Sequence, residues 1–238
     1  MCPLAACKAA GGWAYYPAGV DAAMGSLANR LAGRFLVIDG PDGAGKSTQV
    51  AMLAGVLRAE GVAVRTVQDP GGTRIGGRIR EILLDREHGE MGVECELMLY
   101  MASRAQLAHE VIRPALAAGQ CVLGDRYISS TIAYQGAGGV EAEAVRQAGR
   151  IAVGETWPAM TLVLDLPSEE GLARAGKAAG HDRMEAKGIA FHRKVRERFL
   201  LQAQEDPGHY VVVDATGTPQ DVHRRVRQAV EDWAISSA

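Results

Sequence analysis

Residues 40–47 read GPDGAGKS and follow directly on the apolar run Phe35-Leu36-Val37-Ile38 and on Asp39. They fit the pattern G-x-x-x-x-G-K-[ST]. The run before them has the length of a strand. The run after them carries Val50, Leu53, Ala54 and Leu57 at helical spacing until Gly61 ends it. A strand that passes through a glycine-rich turn into a helix can hold phosphate. Glycine lets the backbone curl so that its N–H groups converge on anionic oxygens, and the helix N-terminus adds partial positive charge. In such a loop Gly40, Pro41, Asp42, Gly43, Ala44 and Gly45 wrap a triphosphate, and Lys46 reaches the β- and γ-phosphates as a point charge. Ser47 offers a hydroxyl to Mg2+, with Thr48 next to it. The chain has only five lysines (Lys8, Lys46, Lys177, Lys187 and Lys194), which sets Lys46 apart.

Four more strand-length apolar runs follow: residues 62–68 (VAVRTVQ), 120–125 (QCVLGD), 159–167 (AMTLVLDLP) and 209–215 (HYVVVDA). Helices are expected over 73–84, 93–118 with a kink or break at Pro114, 141–153, 168–177, 188–204 and 219–234. Strands that alternate with helices, and that do not themselves alternate in polarity, predict an α/β fold. Its five-stranded parallel sheet is covered by helices on both faces. Ligands of such a sheet sit at the carboxyl ends of the strands. That singles out residues 40–47, 68–73 and 124–131, and the loop after the helix that follows the fourth strand. The third strand ends in Gly124-Asp125-Arg126-Tyr127. Asp125 there can serve Mg2+ through water, and Arg126 can grip an anion in the same cleft.

The 238 residues suffice for one such domain, and with 47% hydrophobic and 23% charged residues the composition is that of a globule. A net charge of −2 gives no reason to expect nucleic acid or a membrane surface as partner. No apolar run approaches the ~18 residues of a spanning helix. Cys2, Cys7, Cys95 and Cys121 make no CxxC pair. Cys95 and Cys121 read as reduced core thiols, which suits a reducing compartment and a cytoplasmic protein. Residues 1–33 are rich in Ala and Gly and lack a sustained period. They are expected to be a disordered or loosely packed extension, or sequence upstream of a start at Met24, with the folded domain over 34–238.

The P-loop alone does not separate an enzyme from a motor or a switch. The chain has no NKxD-like guanine motif and no room for a second ATPase domain. An ordered series of motifs goes further: IDGPDGAGKST, DPGGT (69–73), LYMASRAQL (99–107), GDRYISSTIAYQG (124–136), LDLP (164–167) and DRME (182–185). With these, the chain over about 34–234 resembles the thymidylate kinases. The resemblance implies a three-layer P-loop kinase fold with a mobile lid over about 170–187. It also implies ATP- and Mg2+-dependent phosphorylation of dTMP to dTDP, which feeds dTTP to DNA synthesis, and a homodimer packed through long helices such as 93–118.

Carried over position by position, the resemblance implies that Asp42 accepts the sugar 3′-OH near Mg2+, and that Arg80 and Arg126 hold the dTMP phosphate. Tyr100 stacks on thymine where relatives usually have Phe, and Arg104 meets the thymine edge one turn on. Ser130 and Gln135 line the base pocket, and Tyr134 packs on the sugar. The family commonly has Glu at the position of Asp39 and Arg-Glu at Gln68-Asp69. No basic residue lies between Gly40 and Gly45, so the catalytic cation has to come from the lid. There Gly176 and Ala178 stand where relatives carry Arg. Arg183 is the favoured cation, with Lys177 as the alternative and Arg174 a further candidate. The basic stretch FHRKVRERF (191–199) reads as a solvated helix face or as lid support. Two rival readings remain: a kinase of the same fold for dUMP, dCMP or a deoxynucleoside, and a non-catalytic nucleotide switch.

Overall fold

A computed structural model describes residues 26–175, 183, 184 and 187–236, together with the backbone of residues 6–9 and 12–15. β1 (Ala6–Ala9) and β2 (Gly12–Tyr15) pair antiparallel and form a sheet of their own. The main sheet is built from β3 (Phe35–Asp39), β4 (Val64–Gln68), β5 (Cys121–Asp125), β6 (Met160–Asp165) and β7 (Tyr210–Asp214). All its pairings are parallel, in the order β4-β5-β3-β6-β7. The P-loop strand β3 therefore lies in the middle. Every residue of β3 and β5 is buried, while the edge strands β4 and β7 leave several residues exposed. This explains the sequence pattern: a central strand of a two-sided core is apolar throughout.

Side chains of β3 divide by the two-residue period of a strand. Leu36 and Ile38 enter one core with α1 (Leu27–Leu31), α2 (Lys46–Ala59) and α10 (Pro219–Ser236), through residues such as Leu53, Leu57 and Val226. Phe35 and Val37 enter a second core with α4 (Val93–Leu107), α6 (Ile128–Ala137) and α7 (Ala142–Val153), through Leu97, Ile132 and Val145. A smaller cluster joins Tyr134 to Val195 and Phe199 of α9 (Ile189–Glu205). The register sets Ile38 and Gln68 each beside Asp125, so the loops leaving β3, β4 and β5 emerge side by side. α3 (Arg74–Leu84) begins where Thr73 accepts a hydrogen bond from the Gly76 N–H through its hydroxyl. α8 (Ser168–Ala175) leads into the lid.

The structure departs from the sequence expectations in four places. Leu27–Leu31, inside the expected extension, form α1, and Leu31 is fully buried. Among the described residues, helical structure packed on the core is therefore present ahead of Arg34. The helix expected over 93–118 passes from α4 through a wide π-turn at Ala108–Ile112 into α5 (Arg113–Ala117). Pro114 in the first turn of α5 lacks the N–H that a regular helix would use, and the wide turn absorbs this without ending the helix. Helix α6 is absent from the sequence expectations, because all of Ile128–Gly136 is buried and no solvent face gives it a period. Cys95, expected in the core, is exposed on α4; Cys121 is buried, and burial pushes its thiol up to about 12.

Candidate active site

The three neighbouring loops enclose a cleft of about 480 Å3. On its floor, Gly43 adopts φ +74°, a conformation that favours glycine, and its Cα packs so close to α8 that a Cβ would lie 1.9 Å from the Gly171 carbonyl oxygen. Gly45 caps α2, whose first residue is Lys46. The Lys46 ammonium donates to the Pro41 carbonyl oxygen at 2.7 Å. Burial pushes its pKa down to about 8, Arg126 adds to the fall, and Asp42, Asp125 and Asp39 resist it. The ammonium thus gains from a polyanion placed over it.

Beside it, the Ser47 hydroxyl donates to the Asp125 carboxylate at 2.5 Å. Two hard oxygen donors at the mouth of a phosphate loop fit Mg2+. Among the described residues no group of three or more His, Cys, Asp or Glu could hold a metal by itself. A cation here would draw its remaining ligands from phosphate and water, as Mg2+ usually does.

Arg126 follows β5 with φ +69°, the one non-glycine residue in the left-handed region among those described. The next residue fixes that strained backbone. The Tyr127 ring meets Phe35 edge-on at 4.9 Å, and its hydroxyl donates to the Thr156 carbonyl oxygen at 3.0 Å. The Arg126 guanidinium thereby turns into the cleft. It donates to Asp42, to the Ser130 hydroxyl at 3.0 Å and to the Gly40 carbonyl oxygen at 3.3 Å, and it lies 5.2 Å from the Tyr134 ring centre. Asp42 is held below the usual carboxylate pKa. Burial alone would raise it, but Arg126, Lys46, a hydrogen bond from Tyr134 and His192 outweigh burial. One Asp42 oxygen, Oδ2, is buried without a hydrogen-bond partner, and Nδ1 of the buried His192 lies 3.8 Å from it.

Ser130 lines the cleft, yet its hydroxyl also donates to Asp39 at 2.7 Å. Asp39 takes two further bonds, from Ser129 at 2.5 Å and from the Gly40 N–H at 2.8 Å. The carboxylate at position 39 therefore braces α6 against the start of the P-loop. Tyr100, Arg104, Gln135 and Thr131 also line the cleft. Arg104 is almost wholly buried. It donates to Asp69 at 2.6 Å, to the Tyr127 carbonyl oxygen at 3.2 Å and to the Thr131 hydroxyl at 3.1 Å. Arg80 on α3 reaches the cleft with one nitrogen on the Pro70 carbonyl oxygen at 2.9 Å.

The lid candidates separate. Arg174, at the end of α8, lines the cleft and rests on Glu170 at 2.5 Å and on the Ala215 carbonyl oxygen at 3.3 Å. Arg183 does not line it. Its guanidinium pairs with the buried Glu96 and donates to the Leu83 carbonyl oxygen at 3.0 Å. Lys177 and about half of the lid lie outside the described residues. The stretch 191–199 meets the end of β6 and the start of α8: Arg196 forks onto Asp165 at 2.6 and 2.9 Å, and Arg193 makes an exposed pair with Glu169 of α8. Sequence reading missed Glu96, Thr131 and His192. Glu96 could have been found, since it precedes Tyr100 and Arg104 by steps of four and so shares their helix face.

Comparison with known proteins identifies the family of the chain. The family model described as Thymidylate kinase matches residues 38–226. The thymidylate kinase of Nitratidesulfovibrio vulgaris (strain DSM 19637 / Miyazaki F) is 45% identical over 204 residues, which are 82% of this chain and 95% of that one. That of Deinococcus radiodurans is 44% identical over 203 residues, covering 84% and 97%. The crystal structure of thymidylate kinase from Ehrlichia chaffeensis superposes with a TM-score of 0.69 at 26% identity, over 84% of this chain and 99% of that one. A glycine-rich loop and a cleft lined by arginines, tyrosines and a glutamine thus sit on a chain that shares sequence with these kinases over nearly their whole length, and the chain belongs to the thymidylate kinase family of phosphotransferases.

Proposed function

We propose that the protein transfers the γ-phosphoryl group of ATP, with Mg2+, to dTMP, giving dTDP. The observation that carries this reading is one cleft lined both by Lys46 and Ser47 of the P-loop and by Tyr100, Arg104 and Gln135 of α4 and α6, with Arg126 reaching Asp42 on one side and Ser130 on the other. ATP fits the P-loop end and dTMP the α4–α6 end, with their phosphates meeting at Arg126 and Arg80. Ser47 and Asp125 would hold Mg2+, which would supply charge neutralisation at the phosphate oxygens. The dTMP phosphate is already an anion and attacks in line, so no strong base is needed. The protein contributes positioning and positive charge. Arg126 has to leave Asp42 to grip phosphate. The unpartnered Asp42 Oδ2 suits a donor such as the sugar 3′-OH. Tyr134, pinned edge-on against Phe199, lies below Arg126 where it packs on the sugar. Arg174 is placed best among the described lid residues to bring a cation to the transferring group. Closure of the lid would exclude water as a competing acceptor.

The same reading makes the enzyme a cytoplasmic supplier of dTDP for dTTP. It pairs as a homodimer through the face of α3 and α4, where Ile75, Ile82 and Met98 are exposed. Among the described residues no helix is long and apolar enough to cross a membrane. The test is ADP release with ATP and Mg2+ against a panel of dTMP, dUMP, dCMP, dGMP, AMP, thymidine and no acceptor. Release is expected with dTMP, less with dUMP, and at background otherwise. Lys46→Ala should lose all but about a thousandth of it. Release with another acceptor only would transfer the function to that nucleotide. ATP binding without acceptor-dependent release would favour a switch.

A further inference from the structure

Glu96 is 2% exposed and lies on α4, one turn before Tyr100, outside the cleft lining. One of its oxygens, Oε2, pairs with the Arg183 guanidinium; the other, Oε1, accepts from the Gln135 side-chain amide at 2.5 Å. A carboxylate paired with arginine can only accept hydrogen bonds. It therefore dictates which end of the Gln135 amide turns toward it. The NH2 faces Glu96, and the amide carbonyl oxygen is left for the cleft that Gln135 lines. An amide oxygen at that place accepts from a base that carries a hydrogen on its pyrimidine N3, as thymine and uracil do. It repels cytosine, whose N3 is a bare acceptor.

We infer that Glu96 is a specificity-determining positioning residue: by fixing the Gln135 amide, with Arg183 behind it, it makes the pocket select pyrimidines with an N3–H over those without one. This rests on the dTMP reading above. Arg183, which enters from the C-terminal root of the lid, thus joins the lid to base selection rather than to the transferring phosphate. The main-chain N–H of Arg183 donates to the Leu84 carbonyl oxygen at 3.2 Å, which fixes that root beside the end of α3.

The substitution Glu96→Gln tests this, because it should invert the amide rather than merely loosen it. Arg183 donates only, so it draws the new carbonyl oxygen at position 96 and leaves that residue's NH2 toward Gln135. Gln135 then turns its own oxygen outward to accept, and its NH2 faces the cleft. The experiment measures kcat/KM of wild type and Glu96→Gln with dTMP, dUMP and dCMP. The dTMP-to-dCMP and dUMP-to-dCMP ratios should each fall by about tenfold or more, while the dTMP-to-dUMP ratio stays within about twofold, since thymine and uracil share the N3–H. A variant that loses activity on all three acceptors in proportion would overturn the inference and leave Glu96 a structural ion-pair partner. A second measurement needs no change at position 96: wild-type enzyme with N3-methyl-dTMP, which should react at least about tenfold more poorly than dTMP. Equal turnover of the two would overturn the orientation of Gln135. Absence of dTMP turnover by wild type would instead remove the underlying function, so the two failures are distinguishable.

Discussion

At the scale of single residues, the cleft is a place where charge is held under tension until nucleotide arrives. Lys46 is buried against Arg126, and its pKa falls from 10.5 to about 8. Because the folded value lies below the unfolded one, charged Lys46 costs the empty fold stability at and below pH 8, by about 3 kcal/mol at most. That cost shrinks as pH rises from 8 to 10.5, where the folded state has released a proton that the unfolded chain still binds. Bound triphosphate favours the ammonium and restores the proton. ATP affinity should therefore be flat below pH 8 and weaken above it, approaching tenfold per pH unit, and Lys46→Met should abolish the slope. Calorimetric titration between pH 7 and 9.5 reads this directly, and a flat wild-type profile would refute it. The arginines of the lid make a second contrast. Arg174→Ala should lower kcat by roughly a hundredfold or more with little change in KM for dTMP, as expected for a cation that acts on the transferring group. Arg183→Ala leaves the buried Glu96 without its counter-ion, and should instead cost about 3 kcal/mol of stability, seen as a lower Tm. If the two variants exchange these signatures, the roles assigned from their positions are reversed. The P-loop residues were legible in sequence because a phosphate loop is local: eight consecutive residues carry both the turn and the chemistry. Arg183 was legible as a basic lid residue, but its partner Glu96 lies 87 positions away, and sequence spacing does not carry that contact.

At the scale of elements, the site depends on how closely α8 approaches the P-loop. Gly171 on α8 lies so near that a Cβ there would stand 2.4 Å from the Asp42 carbonyl oxygen, a backbone atom that cannot turn aside. The approach makes α8 a wall of the cleft, with its backbone against that of the P-loop. Gly171→Ala should push the loop off its course. It should weaken ATP binding by about tenfold or more and cost about 1–3 kcal/mol, the range typical of overpacking. ATP affinity at the wild-type level in that variant, measured by the same titration, would show that the loop yields without consequence. The glycine itself was visible in sequence, but its reason was not, because a Gly in a short amphipathic helix looks like a weak helix former until the opposing backbone is in place. α6 was the harder case. Its sequence ISSTIAYQGA mixes serines, a threonine and a glutamine with apolar residues. Those polar groups are satisfied inside, by Asp39, Arg104 and Glu96. A helix that is buried on every side, and polar where it meets a site, shows no amphipathic stripe to read.

At the scale of the whole molecule, the five strands and their parallel order follow from two-sided apolar strands between helices, and the cleft follows from the order. β3 leaves the sheet between β5 and β6, and the loops of β3, β4 and β5 open on one side. Where the folded body begins was the part that composition misjudged. Residues 26–33 look like the Ala- and Gly-rich sequence before them, but Leu31 is fully buried among Leu57, Cys121 and Ala234, and Arg30 donates to the Ala234 carbonyl oxygen at 3.0 Å. α1 thus packs on the last turns of α10 and covers one end of the core beneath β3. Two truncations separate the boundary at Ser26 from the one at Arg34. Removal of residues 1–25 should leave kcat, KM and Tm within the error of the full chain, because the sheet, the cleft and both its cores are assembled from residues after Ser26. Removal of residues 1–33 deletes the buried Leu31 and exposes the apolar surface it covered. That change should cost about 2–5 kcal/mol, the usual range for losing one large aliphatic side chain from a packed core. In thermal melts it should appear as a drop in Tm of roughly 5 °C or more. Turnover at low temperature should survive in both, since no residue of α1 reaches the nucleotide cleft. Equal melting of the two truncated proteins would place the boundary back at Arg34, and would mean that the contact of Leu31 with the core contributes no net stability.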